Sequence, residues 1–143
     1  MTTRPIGPDA CARPAMSTYA LFTVRLPAPP GINASYRGAH GGGRLLLTDA
    51  AKAWKEQAAW LTRYARDEMG LLPRPPYVVT LGFYWPSRRF DVDGGIKLAL
   101  DALFLGLGMN DRTVDEVRAF RRVDKLNPRL DVMIRTAEEG RDA

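Results

Sequence analysis

Apolar positions along the chain follow two rhythms, separated by proline- and glycine-rich breaks. "TYALFTVRL" (Thr18–Leu26) is rich in β-branched and aromatic residues and predicts a first strand. "YVVTLGFYW" (Tyr77–Trp85) sets Val79, Leu81, Phe83 and Trp85 on one face, the period-two signature of another. Between them Trp54, Ala58, Leu61 and Ala65 recur at helical spacing. They predict a helix over Asp49–Met69, capped by Thr48 and stopped by Gly70. A second helix is predicted from about Asp93, with Ile96, Leu100, Leu103 and Leu107 on its core face and "GLGMND" ending it. Two more strands fit "DEVRAFRRVDK" and "RLDVMIRT", which can close as a hairpin through Asn127-Pro128. "PAPPGINASYRGAHGGGR" reads as one long loop and "LLPRPP" as a break. The pattern is that of a single small α+β domain with two main helices over residues 18–137. A loose proline-rich extension (1–17) precedes it and a short tail (138–143) follows.

Size and composition agree with one soluble domain: 143 residues, 45% hydrophobic, mean hydropathy −0.25. No apolar run approaches the ~18 residues of a membrane span, and the first residues lack the apolar core of a secretory signal, so a cytoplasmic protein is expected. Cys11 and His40 are the only residues of their kinds. Disulfide frameworks, thiolate zinc sites and a Ser-His-Asp triad are thereby disfavoured. If the protein does chemistry, carboxylates, lysine and an oxygen-liking metal must carry it. The net charge of +5 and pI near 9.7 point to a polyanionic partner, although a solvated basic surface would read the same.

The densest chemistry lies in "RRFDVDGGIKLALDAL" (Arg88–Leu103). In the ordinary reading Asp93 caps the helix and Asp91 is exposed loop, which uses only one carboxylate. A hard divalent cation needs several oxygen ligands, and Asp-x-Asp can bring two. Alternation would send the two side chains apart, so the backbone must bend, which Gly94 and Gly95 permit. Lys97 is i+4 from Asp93, and Asp101 is i+4 from Lys97 and able to hold its ammonium. A calcium loop would need a terminal Glu where Ala102 stands. An aspartate-nucleophile phosphatase would place the pair directly after a strand, and "GGGR" lacks the ending of a P-loop. Capping and metal readings both remain open on these residues alone.

The same residues resemble the RusA family of Holliday junction resolvases. That family's motif runs Asp-x-Asp-Asn-x-x-Lys-x-x-x-Asp-Ala-Leu and closes on an acidic pair. Here "DVDGGIKLALDAL" precedes "GLGMNDRTVDEV". Asp91, Asp93 and Lys97 fall on the motif positions, Asp101 on the helix aspartate and Asp111 on the second closing acid. "LPAPPGINASYR" resembles the family's Pro-Pro-x-x-Asn-x-x-Tyr-Arg segment, and the likeness spans roughly Tyr19 to Arg135. Two positions depart: Gly94 replaces an amide that could orient the carboxylates, and Asn110 replaces the first closing acid.

The resemblance implies a mixed β-sheet packed with the two helices, and a magnesium-dependent endodeoxyribonuclease that resolves four-way junctions by paired nicking in recombination and repair. It implies Asp91, Asp93 and Asp111 as ligands of Mg2+, with Mn2+ as a substitute. Lys97 would be a further catalytic residue, stabilising transition-state charge. DNA contacts are expected at Arg88 and Arg89 beside the acids and at Asn33, Tyr36 and Arg37 upstream. Arg44, Arg118, Arg121 and Arg122 are additional basic positions. Taken singly, exposed arginines are more often simply solvated. A two-fold junction suits a homodimer; Trp54, Trp60, Phe120 and the final strand are interface candidates that serve equally as core. The alternative is a catalytically inactive DNA-binding module of a phage or mobile element.

Overall fold

The computed structural model describes residues 14–31, 36–38 and 45–138. Their elements are β1 (Ala15–Ser17), β2 (Leu21–Pro27), β3 (Tyr36–Gly38), β4 (Leu45–Leu47), α1 (Asp49–Met69), β5 (Leu71–Pro73), β6 (Tyr77–Trp85), α2 (Ile96–Leu107), β7 (Val114–Val123) and β8 (Arg129–Thr136). Short 3-10 turns at Val92–Gly95 and Asp111–Thr113 flank α2.

A four-stranded mixed sheet, in the order β2-β8-β6-β7, forms the frame, as the α+β reading requires. Alternation sends Phe22 and Leu26, then Val79, Leu81, Phe83 and Trp85, then Leu130, Val132 and Ile134, to one buried face. Both helices join that core. Thr48 caps α1 with its hydroxyl, which accepts from the Ala51 N–H at 3.2 Å. Gly70 ends it in the left-handed region at φ 68°, its N–H donating to the Arg66 carbonyl. Trp54 and Ala58 are buried, with Leu61 and Ala65 packed behind them.

The second helix is more deeply held than its predicted stripe. Leu98, Ala99, Ala102, Leu103, Phe104 and Leu107 are all buried, whereas Ile96 and Leu100 only flank the core. Crossing over α1 explains the width: a Cβ on Gly106 would collide with the Ala59 carbonyl and Thr62. Buried Arg66 secures the crossing by donating to the Leu107 carbonyl at 2.9 Å.

Four expectations need correction. The last two strands do not form a hairpin. β7 lies parallel to β6, β8 lies antiparallel to β6, and β6 separates them. The β6–α2–β7 crossover lays β7 parallel to β6 at the sheet edge, and β8 instead fills the place between β6 and β2, antiparallel to both. The upstream "loop" contains a small ribbon, with β3 antiparallel to β4. "LLPRPP" begins with β5, which pairs in parallel with β1 inside the stretch read as a loose extension. Thr18 and Tyr19, read as strand, form the turn between β1 and β2, where the Ala20 N–H bonds the Ser17 carbonyl.

Candidate metal and DNA site

The crossover delivers Asp91 and Asp93 to the head of α2 just beyond the Trp85 end of β6. Asp91 is extended (φ −82°, ψ 151°) and the chain then bends, the Gly94 N–H bonding the Asp91 carbonyl at 3.2 Å. This is the bend that two cooperating carboxylates demand. The capping alternative is not what forms: the residue preceding α2 is Gly95, and neither Asp91 nor Asp93 makes a side-chain capping bond. Both carboxylates are exposed, with no ion pair or hydrogen bond among the described residues.

Their placement rests on an aromatic stack. Phe83 stacks on Trp85 at 4.8 Å and Trp85 on Phe90 at 5.0 Å, so the residue before Asp91 is anchored to the core strand. The Trp85 indole donates to the Pro29 carbonyl and the Trp54 indole to the Pro27 carbonyl, pinning the proline-rich segment alongside. Gly95 is needed for close approach: a Cβ there would lie 2.8 Å from Phe83 Cε1. Arg121 donates to the Phe90 carbonyl at 3.0 Å and the Arg88 carbonyl at 3.4 Å. It therefore positions the acidic turn, a role the sequence reading missed because it treated Arg121 as one more surface cation. The signal is its register opposite Phe83 on the parallel neighbour, which exists only once the strand order is known.

Lys97 is exposed in the first turn of α2 and pairs with neither Asp93 nor Asp101, so the anticipated Lys97–Asp101 bridge is absent among the described residues. Arg88 and Arg89 are exposed just before the turn. Tyr36 and Arg37 lie on β3 opposite Leu47 and Leu46; Asn33 and Arg44 fall outside the described residues. Arg118 bonds Glu116, and Arg122 covers the Phe120 ring. Of the interface candidates, Trp54 is core, Phe120 half-buried, and the final strand interior to the sheet. Trp60 is 65% exposed and stacked on Tyr64.

Asp111 is not brought to the other acids. It follows α2, in the turn leading to Val114, which pairs with Tyr77 at the opposite end of β6 from Trp85. The 12 residues of α2 intervene. At ~1.5 Å per residue they span roughly 18 Å. Accordingly, no three acids that could hold a metal gather among the described residues. Asn110 spends its side-chain oxygen capping the turn, accepting from the Arg112 N–H at 2.9 Å. Asp111 itself is exposed and makes no ion pair among the described residues.

Exposed carboxylates, an exposed ammonium and exposed guanidinium groups, the first two unpaired among the described residues, at one end of a crossover helix suit the class of enzymes that act on nucleic-acid phosphodiesters. The family model described as endodeoxyribonuclease RusA matches residues 27–135, and the chain belongs to that family. The match runs from the last residue of β2 into β8, and so includes both helices and every acid discussed. No curated protein matches the chain. Among the described residues no helix is long and apolar enough to cross a membrane.

Proposed function

We propose that the chain is a divalent-metal-dependent Holliday junction resolvase that works as a homodimer, each subunit nicking one of two opposing strands. The observation that carries this reading is the bent Asp91–Asp93 turn, whose two carboxylates make no ion pair or hydrogen bond among the described residues although the Trp85–Phe90 stack, the close packing of Gly95 and the Arg121 bonds brace the turn. Exposed carboxylate oxygens are the donors that Mg2+ and Mn2+ prefer. Asp91 and Asp93 would hold the ion. Asp111 serves as the third carboxylate when it comes from a second copy, because a helix length separates it from the other two in its own chain. A bound divalent ion supplies Lewis-acid polarisation of the phosphodiester and acidification of the attacking water.

The remaining work falls to the chain's own side chains. Lys97, without a carboxylate partner among the described residues, offers its ammonium to the negative charge that grows on the phosphate as water attacks phosphorus and the 3′-oxygen departs. Arg88 and Arg89 take neighbouring backbone phosphates, releasing counterions. Arg121 keeps the turn in register. Asn33, Tyr36 and Arg37, which follow the proline-rich segment in sequence, extend the DNA contact. A C₂ dimer matches the two-fold symmetry of a four-way junction and explains paired cutting.

One observation favours the second reading, a DNA-binding module without activity: no three described acids share a site. Cleavage of a synthetic four-way junction, compared with linear duplex, in Mg2+, in Mn2+ and in chelator, separates the two. Metal-dependent symmetric nicks in the junction are expected. Tight junction binding with no cleavage in either metal would establish the inactive module.

A further inference from the structure

The helices cover one face of the four-stranded sheet, and no described element covers the other. Register places Thr80, Gly82 and Tyr84 of β6 on that open face, flanked by Phe120 of β7 and by Asp131 and Met133 of β8. Arg25 of β2 stands opposite Asp131. Gly82 is a missing side chain in a central strand: a Cβ there would lie 2.5 Å from Phe120 Cζ. The Phe120 ring therefore reaches across the strand's backbone. Beside it opens a hollow of about 480 Å³, walled by Phe120, Tyr84, Thr80, Arg25, Asp131 and Met133. That volume falls within the ~300–1,000 Å³ range of small-ligand sites.

The chemistry of the walls is specific. Phe120 and Tyr84 meet edge to face at 6.0 Å, with the Arg122 guanidinium 4.9 Å over the first ring and that of Arg129 3.8 Å over the second. Asp131 accepts from both Arg25 (2.9 Å) and Arg129 (3.2 Å), so its charge does not repel an anion. Arg118 is matched by Glu116. Among the described residues Arg122 and Arg135 hydrogen-bond only to backbone carbonyls, those of Arg121 and Thr136, and make no ion pair, and so leave the face with surplus positive charge. Aromatic faces set among guanidinium groups hold single nucleotides by stacking and by phosphate contact. A base still stacked in a duplex could not enter a hollow of this kind.

We propose that the open sheet face carries a second DNA subsite, in which one unstacked nucleotide places its base against Phe120 and Tyr84 and its phosphate on Arg122. The identity of the polymer as DNA rests on the nuclease reading; the hollow and its chemistry do not. A branch point, where bases are most readily unpaired, supplies such a nucleotide.

The test is made in chelator, so that cleavage does not enter. Binding of labelled oligothymidine and of an equally long duplex is followed by anisotropy for wild type and Phe120→Ala, with circular dichroism to verify folding. Oligothymidine affinity should fall about tenfold or more, and duplex affinity should stay within about twofold. Independently of any variant, photo-cross-linking of an iodouracil oligonucleotide to wild type should map to Phe120 or Tyr84. Three results would each overturn the proposal: no oligothymidine binding by wild type, unchanged binding by folded Phe120→Ala, or cross-links confined to other elements. A Phe120→Ala variant that turns a dimer into a monomer would mark the face as a contact between copies and overturn it too. A protein that cross-links at Phe120 yet cuts no junction would sink the nuclease reading while sparing the subsite.

Discussion

Mixing two inactive variants distinguishes a metal site built within one chain from one shared between two. Asp93 precedes α2 and Asp111 follows it, so the 12-residue helix lies between them. A magnesium ion sits ~2.0–2.1 Å from each ligand oxygen, so two oxygens bound to it lie within roughly 4 Å of each other. The helix contributes about 18 Å, several times that limit. Slack in the following segment does not close the gap: the Gly108 and Met109 N–H groups are bonded back to the Leu105 and Phe104 carbonyls, and Asn110 caps the next turn. Asp91→Asn and Asp111→Asn should therefore each abolish cleavage alone while leaving junction binding largely intact. In a mixed dimer one site carries both substitutions and the other carries neither. With random exchange half the dimers are mixed, so about a quarter of wild-type sites return. Because each mixed dimer has one working site, singly nicked junctions should accumulate ahead of resolved products on a denaturing gel. If subunit exchange is verified with a tagged partner and the mixture stays as inactive as its components, the shared-site reasoning is refuted.

Other outcomes follow from individual contacts. Lys97→Ala should cut the rate by at least about tenfold at unchanged thermal midpoint, as expected of a transition-state contact; normal cutting would make the lysine a surface charge. Gly95→Ala forces a Cβ against Phe83 and Pro29, so urea denaturation should show a loss of about 1–3 kcal/mol from overpacking, together with slower cleavage. Unaltered stability would mean that the turn is not braced there. Replacing Arg88 and Arg89 together by alanine should weaken junction binding and flatten its dependence on salt; an unchanged slope would remove them from the DNA contact. The hydrogen bond from Arg129, reinforced by the Asn127 N–H, holds the Asp124 carboxyl below its ordinary value of 3.8. A lowered folded pKa gives stability that is present above the ordinary value and lost as pH falls below it, through the folded value. Arg129→Ala should therefore flatten the acid limb of a stability–pH curve, and an identical limb in the variant would count against the pairing.

Local rhythm was enough to locate α1 with both its caps and β6 with its buried face, because propensity, capping and side-chain alternation act between residues close in the chain. Covalent spacing likewise placed Asp91, Asp93 and Lys97 together at the head of a helix, and the family likeness agrees with the matched span. Alternation reports which face of a strand is buried but not which strand lies beside it. The separation of β7 from β8 by β6, the pairing of β1 with β5, and the open sheet face with its hollow over Gly82 were therefore decided by tertiary contacts alone. Arg121 became a brace for the acidic turn only when the parallel register set it across from Phe83. Asp111 shows the limit most clearly. The motif gives its distance from Asp93 along the chain, but the chain between them is a rigid helix, so closeness in sequence becomes separation in space.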